Sequence, residues 1–97
     1  MSYTVTLQDF PDIPDNIRVQ AERRFIRTLE RAIGSEEAVV SAYSAWSNAE
    51  DSGEGELSGE EAALAKRWIQ AATRAQQDAF NGLGEAQEAY FEFRVAR

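Results

Sequence analysis

The sequence predicts a small α+β domain in the order strand, helix, helix, helix, strand. Three observations carry that reading. Apolar and polar residues alternate near both ends of the chain, apolar residues recur at i, i+4 in between, and breaker or capping residues stand at each junction. At 97 residues the chain has room for one modest core, so a single domain over 1–97 is expected.

The first strand is expected over 2–8, where Tyr3, Val5 and Leu7 alternate with Thr4, Thr6 and Gln8. Pro11 and Pro14 end it, since proline removes a donor and restricts its neighbours. Asp15 then reads as the N-cap of a helix over 15–33, with Ile17, Ala21, Phe25, Leu29 and Ile33 on one stripe. Gly34 and Ser35 read as a stop and a new cap, opening a helix over 35–49 with Val39, Ala42, Tyr43, Trp46 and Ala49 on one face. The stripe rotates near Gly34, which favours a break over one continuous helix and leaves the latter open.

A loop over 50–58 follows. Ser58 and Glu61 then match a capping box for a helix over 59–80, with Leu64, Trp68, Ala72, Ala75 and Ala79 facing inward. Seven alanines between Ala62 and Ala79 predict close helix–helix approach. The last strand is expected over 89–96, with Phe91, Phe93 and Val95 opposite Tyr90, Glu92 and Arg94. Two isolated strands are barely stable, so they are expected to pair with each other on the helical layer, in an orientation the sequence leaves open. Open sheet edges invite further strands, and a homodimer is the simplest expectation.

Composition narrows function. There is no histidine and no cysteine, which removes the usual general base, the thiol nucleophile and the commonest zinc ligands. No phosphate-binding glycine motif is present, so an enzyme is not expected. The start has no basic stretch followed by an apolar one, and no apolar run could span a bilayer; a cytoplasmic, non-membrane protein is expected. Net charge is −7, which makes direct nucleic-acid binding an unfavourable reading. The charge is uneven, with eight acids and no base over 36–61.

The segment 50–61, E-D-S-G-E-G-E-L-S-G-E-E, concentrates that charge. It resembles the EF-hand calcium loop when Gly55 is aligned with the turn glycine. The resemblance implies calcium ligands from Glu50, Ser52, Glu54, the Glu56 carbonyl and Glu61, with Leu57 packing the loop. It covers about thirty residues and departs from the pattern in having glutamates, Glu50 and Glu54, at positions sized for a shorter arm. The plainer reading of the same residues is an acidic connector between two helices, needing no cofactor.

A second candidate is the arginine stripe Arg23, Arg27 and Arg31, suited to an acidic partner surface or a phosphate, or simply a solvated helix face. Trp46 and Trp68 are expected to face each other in the core. The functional expectation is a small acidic, non-enzymatic protein–protein interaction domain of accessory, inhibitor or adaptor type. It would act through the acidic loop, with Glu54, Glu56 and Glu60 as contacts, and through an exposed sheet edge. A single calcium-binding helix–loop–helix module is the alternative.

Overall fold

The computed structural model describes residues 2–52, 59–83 and 88–96. Its elements are β1 (Ser2–Gln8), α1 (Asp15–Ile33), α2 (Glu36–Ser52), α3 (Gly59–Phe80) and β2 (Tyr90–Ala96), the predicted β-α-α-α-β order. The two strands form one antiparallel sheet in unbroken register from Ser2 opposite Ala96 to Gln8 opposite Tyr90. No helix among the described residues is long and apolar enough to cross a membrane.

The helix 15–49 is broken at Gly34. Its φ of 121° and ψ of −121° lie where a side chain is disfavoured, and its N–H donates to the Glu30 carbonyl at 2.7 Å. A methyl group added there would meet nothing within 4 Å, so the demand for glycine is conformational and not spatial. Ser35 then caps α2: its Oγ accepts from the Ala38 N–H at 3.2 Å, and its carbonyl accepts from Val39.

Two junctions differ from expectation. Asp15 is the first helical residue and not the cap. Pro14 occupies the cap position with extended ψ, and its carbonyl accepts from Ile17 and Arg18. The Asp15 carboxylate instead sits in the first turn, where the helix dipole favours it, 3.5 Å from Arg18. Helix α2 runs on through Ser52 instead of ending at 49, because the first breaker after Asn48 is Gly53. The capping box proposed for Ser58 lies outside the described residues.

Helix α3 packs along both α1 and α2, which touch each other far less. It buries Ala65, Trp68, Ala71, Ala75 and Ala79; Leu64 and Ala72, expected inside, are half-buried. Trp68, Ala75 and Ala79 are buried as expected, and contact with two helices widens the apolar stripe to take in Ala65 and Ala71. On α1 the predicted line holds for Ala21, Phe25, Leu29 and Ile33, while Ile17 is exposed.

The sheet attaches through two rings of β2 spaced two residues apart on its inner face. Phe91 stacks between Phe25 of α1 (4.4 Å between centroids) and Phe80 of α3 (5.2 Å). Phe93 meets Tyr43 of α2 at 4.5 Å, Trp68 of α3 at 4.8 Å and Tyr3 of β1 at 4.8 Å. Aromatic pairs of this geometry contribute about 0.5–1.5 kcal/mol each beyond the area they bury. No charged or polar residue is buried among the described residues, and among them the side-chain polar atom that enters the core without a hydrogen-bond partner is the Tyr3 hydroxyl.

Candidate functional site

Three surfaces could carry function: the sheet edges, an arginine-lined groove, and the acidic end of the α2–α3 hairpin.

Backbone groups of an antiparallel strand point alternately toward the partner strand and away from it. The Leu7 N–H donates to the Glu22 carboxylate of α1 at 2.8 Å, so Leu7 points outward, and Tyr3 and Val5 point outward with it. Phe91 is opposite Leu7, Phe93 opposite Val5 and Val95 opposite Tyr3. These three therefore turn their N–H and C=O groups to the free edge of β2. Their N–H groups have no acceptor among the described residues. Glu22 also holds Arg18 at 3.1 Å, so an ion pair stands against the β1 edge. The backbones of α1 and α2 approach β1 more closely than β2, and no described element pairs with the β2 edge.

The outer face of the sheet is polar. On β2 it carries Tyr90, which is 52% exposed, then Glu92 and Arg94, which pair with each other at 2.6 Å. Gln8 of β1 donates to the second Glu92 oxygen at 3.1 Å.

Arg23, Arg27 and Arg31 lie exposed along α1, as the spacing predicted, but they do not stand alone. Beside them a groove of about 530 Å³ is lined by Gln20, Arg24 and Asp78 as well. It continues into one of about 290 Å³ that Arg74 and Thr28 help line. Arg24 binds Asp78 in a bidentate fork, both bonds 3.1 Å, and the Thr28 hydroxyl donates to the same carboxylate at 2.8 Å. The Arg24 bonds, then the Thr28 bond, hold the Asp78 carboxyl below its usual range. Among the described residues Arg23, Arg27 and Arg31 have no ion-pair partner. Chemically the groove can hold a short run of carboxylates or phosphates.

At the other end, the expected calcium and partner residues divide. Glu50 is exposed in α2, Glu60 and Glu61 are exposed in the first turn of α3, and only the backbone of Ser52 is described. Glu54 and Glu56 lie outside the described residues. No group of three or more metal-ligating side chains comes together among the described residues. Trp46 and Trp68 do meet, at 6.3 Å, within the aromatic cluster that also holds Tyr43 and Phe93.

The part of this arrangement that sequence reasoning missed is tertiary. Nothing in the sequence around Glu22 or Asp78 marks either as a tertiary partner. The i, i+4 spacing of Arg18 and Glu22 was visible, but nothing local tied Glu22 to Leu7. Comparison with protein-family models, curated proteins and solved structures returned no match, so function is read from geometry.

Proposed function

We propose that this chain is a non-enzymatic protein-interaction domain that acts through the uncovered edge of β2. The observation that carries this reading is the row of outward N–H groups at Phe91, Phe93 and Val95, lacking acceptors among the described residues. Such a row is a template for strand addition, in which main-chain bonds supply affinity and flanking side chains supply specificity. The lack of histidine and cysteine, and of any buried charged group among the described residues, supports a binding role over catalysis. The acidic segment 50–61 and the arginine groove serve, on this reading, as surfaces that orient partners by charge. The expected cytoplasmic location fits a cysteine-free chain.

Val95→Pro tests the edge directly. It removes one outward N–H and leaves the β1–β2 ladder bonds in place, since those are made by the alternate residues. The full chain and this variant, each verified as folded by circular dichroism, are used as baits, and captured proteins, including further copies of the chain, are quantified. Capture is expected to fall at least tenfold with the variant. Undiminished capture would overturn the reading.

A further inference from the structure

We propose that the occupant of the β2 edge is β2 of a second copy, docked about a two-fold axis at Phe93. The inference rests on the edge reading above and adds the partner and the register.

Antiparallel pairing places outward residues opposite outward residues, so a symmetric pair must centre on a single residue of β2. Phe93 is the midpoint of Tyr90–Ala96, so only this centre pairs the whole strand. Phe93 then faces its own copy, and Phe91 faces Val95 of the second copy, in both directions. Each of these three pairs exchanges two N–H···O=C bonds. The acceptor-free N–H groups of the edge are all used.

The intervening residues form the close, non-hydrogen-bonded pairs, in which side chains approach most nearly. In this register Glu92 lies opposite Arg94 of the second copy, and Arg94 opposite its Glu92. Within one chain these two side chains already pair at 2.6 Å, and Arg94 is 75% exposed. Two copies therefore assemble four charges of alternating sign on the polar face. Centring on Glu92 would set two carboxylates against each other, and centring on Arg94 two guanidiniums, both unfavourable. Centring on Phe91 or Val95 leaves much of the strand unpaired. Full overlap and charge complementarity thus select the same register. The product is a four-stranded sheet, β1-β2-β2-β1, with the helices of both copies on one face. Its two outer edges are then the β1 edges at which Glu22 stands.

Sedimentation and light scattering of the full chain test this. The wild type is expected to have twice the chain mass of 10.8 kDa at high concentration. Glu92→Arg alone sets like charges opposite each other, as does Arg94→Glu alone, and each is expected to raise the dimer dissociation constant at least tenfold. Mixing these two variants restores opposite charges at every contact, so the mixture should dimerise although neither component does so well. The double variant Glu92→Arg/Arg94→Glu should recover wild-type association. A wild type that stays monomeric at millimolar concentration would overturn the proposal, while loss of heterologous capture in Val95→Pro would still uphold the edge reading. A dimer unaffected by the charge variants, or a mixture that fails to associate, would overturn the register.

Discussion

The two edges of this sheet belong to strands of equal length in one ladder, yet they are finished differently. β1 runs close to α1, and Glu22 reaches from that helix to take the Leu7 N–H, with Arg18 beside it. β2 is held from below by Phe91 and Phe93, and no described group accepts from its outward N–H groups. The difference shows that topology alone does not decide whether an edge is available. One carboxylate from a neighbouring element takes one of the three outward N–H groups of β1 and, with Arg18, sets an ion pair against that edge, which makes it a poorer template than β2.

The largest test of that contrast asks whether the rings alone hold β2. Phe93→Ala removes the side chain that meets Tyr3, Tyr43 and Trp68, and is expected to cost about 3 kcal/mol in urea unfolding followed by tryptophan fluorescence. A cost below about 1 kcal/mol would mean that β2 is anchored elsewhere.

Next comes the guard on β1. Glu22→Ala leaves the Leu7 N–H, in a buried residue, without its charged acceptor, at an expected cost of about 1–2 kcal/mol. It should also make β1 competent for self-association, visible as species larger than a dimer in sedimentation. If assembly stops at the same size as in the wild type, Glu22 is not what closes that edge.

The smallest effect concerns Tyr3, whose buried hydroxyl has no hydrogen-bond partner among the described residues. Burial, then the charges of Glu30 and Glu36, push its pKa up from 10.0 to about 12. The unfolded chain therefore releases this proton before the folded one does. The contribution is complete below pH 10.0 and is lost as pH rises to about 12. Tyr3→Phe should remove that part of the alkaline decline and, by eliminating an unsatisfied hydroxyl, leave stability at neutral pH within about 1 kcal/mol of the wild type. A variant that still loses the same stability between those pH values would exclude Tyr3 as the cause.

Much of the fold was legible because local chemistry and tertiary packing agree. The α1 stripe is a single period read against one apolar interior, and the α1–α2 break follows from Gly34 and Ser35 together. Strand orientation was not legible, since the same alternation serves parallel and antiparallel pairing. On α3 the expected line holds at Trp68, Ala75 and Ala79, while Ala65 and Ala71 are buried in place of Leu64 and Ala72 because two neighbours, and not one, cover that helix. For the candidate site, the arginine stripe was visible on one helix, whereas Arg74 and Asp78 join it from more than forty residues away. The asymmetry of the edges was illegible for the same reason, as it depends on where Glu22 ends up and not on what surrounds it in sequence.

The alanines of α3 set a limit on how this chain can change. Ala71, Ala75 and Ala79 are at most 4% exposed, and Ala42 of α2 is fully buried. Where a methyl group fixes the spacing between helices, any larger residue must push a whole helix, at a cost of about 1–3 kcal/mol. That is a large share of the stability of a domain this size. Saturation mutagenesis at Ala75 with selection for folding should therefore return little beyond alanine, glycine and serine. The exposed positions of the same helix, such as Gln76 and Gln77, should accept most side chains. Helix α3 thus acts as a gauge whose calibration one substitution cannot reset: widening the gap at one helix requires a matching loss of bulk on the other.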